Sequence, residues 1–229
     1  MFAGHYGVSF LVKTAEPRLP LWLLFLAAQF VDVLWAPFVL VGIEHYRIVP
    51  GITASLPLDL YYMPYSHGLL SVTIWSAVVF AGYRWMVSGS GSRRGRPALF
   101  LALAVFSHWV LDFVVHRPDL PLYDNARKVG LGLWNYPLTA FALEAVLLVG
   151  GILLYLRSTT ANTFRGRYGV LLFGLAILAV HYLVLWGPPP PSLAAGAARM
   201  AALYLILAAA AYWLEKGRTP LTQALDRGG

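Results

Sequence analysis

The chain contains no cysteine, and few of its residues carry charge. Zero cysteines exclude disulfide bonds, iron–sulfur clusters and thiolate zinc sites, so any metal ion must bind nitrogen and oxygen atoms of His, Asp and Glu. Only 12% of the 229 residues are charged, whereas 59% are hydrophobic. This balance excludes an ordinary soluble fold and predicts an all-α integral membrane protein, with one polytopic domain over residues 1–229.

Six apolar stretches each approach the ~20 residues that a helix needs to cross the hydrocarbon core. The segment Phe2–Val12 is too short to span, and it predicts a short re-entrant or interfacial helix that enters from the cytoplasmic side. The six predicted spans are Leu21–Ile43, Ser66–Val87, Pro97–Val115, Tyr136–Leu156, Tyr168–Trp186 and about Pro191–Leu214.

Basic residues alternate between the connections and predict the orientation. One set of loops carries only Arg47, Arg117, Arg127 and Lys128. The terminal segments and the remaining loops carry twelve basic residues, namely Lys13, Arg18, Arg84, Arg93, Arg94, Arg96, Arg157, Arg165, Arg167, Lys216, Arg218 and Arg227. The positive-inside rule therefore predicts cytoplasmic amino and carboxyl termini in the cell (inner) membrane. Because these residues are scattered over short loops, they favour contact with membrane lipids and not with nucleic acid.

The run from Ser107 to His116 is the strongest functional signal. His108, Asp112 and His116 follow one another at spacings of four, so their side chains project from roughly one helix face. Ionisable groups at membrane depth cost a few kcal/mol and need a shared partner. A bound metal ion would satisfy all three, and the alternative is a hydrogen-bonded His–Asp pair.

Depth along the predicted helices suggests further ligands. At ~1.5 Å per residue, Asp32 and His108 lie roughly 17 Å from the cytoplasmic ends of their spans, Asp112 roughly 22 Å, and His5 roughly 12 Å. These four residues can meet inside the bundle. The alternatives are an interhelical polar contact for Asp32 and a surface position for His5.

Other ionisable residues are predicted near the external mouth or deeper in the last three spans. His67, His116, Glu44 and His45 border that mouth, although any of these histidines could be an interfacial residue. Glu144 and Arg199 lie at equal depth in their spans, which predicts a salt bridge between them. His181 lies alone among apolar residues of its span, and we expect its ring to donate a hydrogen bond to a neighbouring carbonyl. The external loop 116–128, with its basic end, could hold an anionic headgroup or be an ordinary solvated loop.

The order of these residues resembles the membrane-bound metal-dependent hydrolase family. The likeness rests on Gly4-His5, on Asp32, on Ser66-His67 and on the Ser107-His108-x-x-x-Asp112 helix, and it covers roughly residues 1–125. The family's Asp-x-Asp-His cluster is represented here by Asp32 alone, and its Arg-containing Thr-His-Ser element is shortened. Residues 136–214 carry no matching motif.

The resemblance implies a divalent ion, zinc in the first place, held by His5, Asp32, His67, His108 and Asp112. Asp112 would bridge two ions, and His116 or Glu44 would act as a further ligand or as the general base. The implied reaction is hydrolysis of a lipid or of a lipid-linked ester or phosphate.

Two other classes stay open from the sequence. A non-enzymatic subunit of a larger membrane complex would explain the short loops, and its metal ion would be structural. A tetrapyrrole carrier is the other, because His108 and His181 lie within about 4 Å in depth and two facing imidazoles can bind a haem iron.

Overall fold

The protein is an all-α integral membrane protein, as the composition predicts. The computed structural model describes residues 1–87 and 95–221. Segment 88–94, whose Ser and Gly content predicts a flexible cytoplasmic linker, lies outside the described residues. In chain order the helices are α1 (Ala3–Ala15), α2 (Leu21–Ala28), α3 (Phe30–Leu40), α4 (Leu69–Met86), α5 (Gly95–Val115), α6 (Pro137–Ser158), α7 (Phe164–Trp186) and α8 (Leu193–Glu215).

Helices α4 to α8 are each long and apolar enough to cross a membrane. Their bounds lie within a few residues of the predicted spans. The outward faces keep large apolar side chains exposed, such as Leu70 and Ile74 on α4 and Leu172 and Leu175 on α7. Apolar side chains of this size belong against lipid tails and not against water.

The first predicted span is not one straight helix. Helices α2 and α3 meet at Gln29 with an angle of 55°, which is the geometry of a broken span or of a re-entrant loop. The described residues therefore contain five candidate spans, or six if the bent pair counts as one. The Gln29 side-chain amide donates to the carbonyl of Phe2, with a distance of 3.4 Å. A helix end leaves carbonyls free for other donors, and two α2 carbonyls are used in this way: Leu24 accepts from the Ser9 hydroxyl and Ala28 from the His108 ring.

Helix α1 is the predicted short amino-terminal helix, and it is buried inside the bundle. His5, Tyr6 and Phe10 are fully buried. It crosses α6 at Gly7 and Gly151, where the backbones are so close that a Cβ on Gly151 would stand 2.2 Å from the Gly7 carbonyl oxygen. No side chain fits between the two helices at this point, so glycine lets α1 lie deep enough to carry His5 into the centre.

Two short antiparallel strand pairs lie at opposite ends of the bundle. Strands β1 (His45–Ile48) and β2 (Leu58–Tyr62) form the pair at the predicted external end. Strands β3 (Thr159–Ala161) and β4 (Arg218–Pro220) form the pair at the other end.

Ion pairs hold both ends together. At the β3–β4 end, Lys13 pairs with Glu215, and Glu16 accepts from Arg18. The hydrogen bond from Arg18 lowers the pKa of the Glu16 carboxyl. At the β1–β2 end, Asp59 bridges Arg47 and Arg117. The distribution of basic residues predicts that the β3–β4 end is cytoplasmic and that the β1–β2 end is external.

Candidate metal centre

Helix α5 brings its three predicted ligands together, with His108 and His116 on either side of the Asp112 carboxylate. The Asp112 carboxylate oxygen Oδ2 lies 3.2 Å from His108 Nε2 and 3.4 Å from His116 Nε2. His116 is the first residue after the helix, and its amide still donates to the carbonyl of Asp112. The spacing of four therefore brings all three side chains to one face, as predicted.

Helix α1 adds His5 to this group. Its Nε2 lies 3.2 Å from the other Asp112 oxygen, Oδ1, and its ring stacks on His108 with centroids 3.9 Å apart. One ligand atom from each of His5, His108 and Asp112 lies within 4.8 Å of the others. The amino group of Met1 also pairs with Asp112.

A second group joins the first through His108. His67 Nε2 lies 3.2 Å from Asp32 Oδ1 and 3.8 Å from Asp112 Oδ2. Ligand atoms of Asp32, His67 and His108 also lie within 4.8 Å of one another. All five predicted metal ligands therefore meet, and we call them the ligand cluster. These buried imidazoles and carboxylates could hold a metal ion, and their nitrogen and oxygen atoms suit a divalent one.

Hydrogen bonds orient three of the histidines from outside the cluster. His108 Nδ1 donates to the Ala28 carbonyl at 2.8 Å. His67 Nδ1 lies 2.7 Å from the Ser66 hydroxyl, and His116 Nδ1 lies 2.9 Å from Asp119 Oδ1. Each ring thereby turns Nε2 towards the cluster, which is the arrangement that partners of metal-binding histidines provide.

The structure places Glu44 differently from the predicted ligand or general base. One carboxylate oxygen accepts the backbone N–H groups of Tyr65 and Ser66, each at 2.8 Å, and the other accepts the Ser66 hydroxyl. Both oxygens are engaged in this way, and the Ser66 hydroxyl that contacts Glu44 also lies 2.7 Å from His67 Nδ1. Glu44 and Ser66 are 22 positions apart in the chain, and no local sequence pattern predicts a contact between them. His116 lies at the edge of the cluster with Asp119 behind it, an arrangement that fits a base.

Several polar residues of the site were missed or assigned wrongly from the sequence. The Tyr204 hydroxyl donates to Asp32 Oδ2 at 2.7 Å. In the described residues, Glu144 forms no salt bridge with Arg199; its carboxylate instead accepts the N–H groups of Phe2 and Gly4. His181 donates to no carbonyl in the described chain, and its ring stacks against Phe2 and Phe141. Equal depth in two spans does not say which faces meet.

A cavity of about 130 Å³ borders the ligand cluster, and we call it the central cavity. Asp32, His67, Asp112 and His116 form its polar wall. The rest is mostly apolar, with Trp35, Leu56, Leu58, Leu60, Trp134, Val184, Leu185 and Met200 among the lining residues. A second cavity of about 140 Å³ shares six of its lining residues with the first. Together they form an apolar space that leads from the cluster towards the β1–β2 end.

Arg117 and Lys128, two of the three Arg and Lys residues of the external loop, have polar partners within the protein. Lys128 Nζ donates to the Tyr61 carbonyl at 2.6 Å, and burial lowers the pKa of Lys128. Arg117 is paired with Asp59 and Asp119.

Comparison of the chain with protein-family models, with curated proteins and with solved structures found no match in any of the three. The chemistry of the site therefore rests on its own geometry.

Proposed function

We propose that the chain is a membrane-embedded metal-dependent hydrolase that acts on a lipid or a lipid-linked ester or phosphate, and that it belongs with the membrane-bound metal-dependent hydrolases it resembles. The observation that carries the proposal is the meeting of His5, Asp32, His67, His108 and Asp112 in two overlapping groups beside a cavity. Three helices, α1, α3 and α5, and the bend that precedes α4 supply these residues, although an isolated charge on each would be costly at that depth.

The donor set suits zinc. A bound zinc ion would lower the pKa of a coordinated water towards 7 and polarise a phosphoryl or acyl oxygen. His5, His67 and His108 would supply neutral ring nitrogens, and Asp32 and Asp112 would supply the charge. His116, held by Asp119 at 2.9 Å, is the proposed base that takes a proton from the attacking water.

The surroundings of the cluster support a lipid as substrate. The central cavity and its neighbour are lined mostly by apolar residues, chiefly Leu, Trp, Met and Pro. A substrate with an apolar tail gains free energy in such a space, whereas a small soluble ester would not. The distribution of basic residues supports an inner-membrane location with both termini in the cytoplasm, so the lipid would enter from the external leaflet.

The test combines metal content with turnover. Purified wild-type protein should carry stoichiometric zinc and hydrolyse a member of a phospholipid and polyprenyl-phosphate panel, with loss of turnover on chelation. His108→Ala and Asp112→Ala should each lose the metal while inserting normally. Val110→Ala is the matched control, because this side chain is exposed on the same helix.

Two results would overturn the hydrolase proposal. Full metal content in both ligand variants would exclude the site. No chelator-sensitive turnover, together with fixed co-purifying partners, would favour the non-enzymatic subunit with a structural metal. A Soret band would instead support the tetrapyrrole carrier.

A further inference from the structure

The central cavity contains a second polar pair besides the ligand cluster. Glu144 on α6 and His181 on α7 both line it, and each is about 1% exposed. Glu144 Oε1 and both ring nitrogens of His181 have no hydrogen-bond partner among residues 1–87 and 95–221. Buried polar atoms of natural proteins are nearly always paired. Three unpaired atoms on one cavity therefore point to a polar ligand.

The local structure holds this pair in place without satisfying it. Glu144 Oε2 accepts N–H groups from Phe2 at 2.7 Å and from Gly4 at 3.3 Å, which fixes the carboxylate and leaves Oε1 free. The His181 ring is stacked at 5.2 Å on Phe141. Its Nε2 lies 3.7 Å from Glu144 Oε1, which is too long for a hydrogen bond.

The amino-terminal turn of α1 contacts both the Glu144 carboxylate and the ligand cluster. Phe2 and Gly4 bind Glu144 through their backbone, and the next residue, His5, contacts Asp112. A ligand held by Glu144 and His181 would therefore share the cavity with a group bound at the cluster.

The geometry favours a hydroxyl group as that ligand. A carboxylate oxygen only accepts, whereas a neutral imidazole offers one donor and one acceptor. A single hydroxyl placed between them donates to Glu144 Oε1 and accepts from a His181 N–H. A ligand ammonium would be repelled by a divalent ion on the facing wall, but a neutral hydroxyl would not.

We propose that Glu144 and His181 form a hydroxyl-binding subsite that selects amphiphiles with a polyol headgroup, such as a glyceryl group. The inference rests on the proposed function only in regarding this amphiphile as substrate. It gives the carboxyl-terminal half of the chain a role in substrate selection.

Binding of non-hydrolysable ethers tests the subsite apart from turnover. The probes are monodecyl glyceryl ether and decyl methyl ether, which share the tail but differ in hydroxyl groups. Trp35 and Trp134 line the cavity, so tryptophan fluorescence in detergent reports binding. We expect the wild type to prefer the glyceryl ether by about tenfold, the effect of one or two net hydrogen bonds.

The variants keep the structural contacts of each residue. Glu144→Gln retains an oxygen for the Phe2 and Gly4 amides, and His181→Phe retains the stacking. Each should reduce the preference to near one, with unchanged affinity for the methyl ether and unchanged metal content. Tyr182→Phe, at an exposed neighbour of His181, should keep the preference.

Three results separate the possibilities. A preference retained in both variants would overturn the subsite. Tighter binding of decylamine than of the glyceryl ether would overturn the hydroxyl assignment in favour of an ammonium. A preference that is lost as expected, in a protein that hydrolyses no lipid, would support the subsite and contradict the proposed function alone.

Discussion

Replacing Gly151 by alanine tests whether the packing of α1 on α6 positions His5. The added Cβ would stand 2.2 Å from the Gly7 carbonyl oxygen and 2.9 Å from its carbon. Ordinary carbon contacts lie near ~3.5 Å, so α1 must move outward by roughly 1 Å. Neither contacting atom is the end of a flexible side chain, and the helices cannot relieve the overlap by changing a rotamer.

The displacement acts on both stability and metal binding. Overpacking of this kind costs about 1–3 kcal/mol. His5 precedes Gly7 by half a turn, and zinc–nitrogen distances tolerate only about 0.2 Å of error. If the cluster holds zinc as proposed, a shift of roughly 1 Å should therefore weaken its binding by about tenfold to a hundredfold, the range seen when ligand orientation is disturbed.

The neighbouring glycine provides a matched control. A Cβ on Gly150 meets no atom within 4 Å, so Gly150→Ala should leave zinc binding unchanged and improve helix stability by up to about 1 kcal/mol. The assay is zinc retention against graded chelator, with the thermal midpoint in detergent measured in parallel. Equal zinc retention in the two variants would refute the claim that the Gly7–Gly151 contact positions His5.

Two further changes test the orientation of a ligand and of the chain. Ser66→Ala removes the hydroxyl that holds His67 Nδ1 and should weaken retention of the proposed zinc ion by about tenfold. Thr73→Ala, on the exposed face of α4, should leave zinc retention unchanged. Equal retention in the two variants would contradict the orienting role of Ser66. Single cysteines at Tyr123 and Thr160 should behave oppositely towards an impermeant thiol reagent in intact cells, with only the first labelled, and labelling of the second would invert the orientation.

The sequence predicted the helices better than their bends. The span bounds of α4 to α8 follow from runs of apolar residues, which the membrane requires whatever the tertiary packing. The break at Gln29 was missed because neither glycine nor proline marks it, whereas the proline of this span, Pro37, lies inside α3. The break is accompanied by bonds to Phe2, Ser9 and His108, and such long-range contacts leave no local pattern.

The candidate site, like the fold, was predicted from the sequence only in part. Spacing alone placed His108, Asp112 and His116 on one face, because helix geometry relates residues four apart. Depth counting suggested that Asp32 and His5 could join them, but it could not say that their faces meet. The same counting paired Glu144 with Arg199, and the structure instead places Glu144 against α1.

By itself, the sequence determined the membrane class, the spans and the ligand spacing within α5, since hydrophobic length and helical period act over a few turns of one segment. Tertiary structure alone decided that His5 and His67 reach Asp112, that Glu44 contacts Ser66, and that the central cavity includes His181. The hydrogen bonds among them join residues 22 to 107 positions apart in the chain, and the cavity is lined by residues of different helices. They depend on which helix faces pack together, and that packing is a property of the whole bundle.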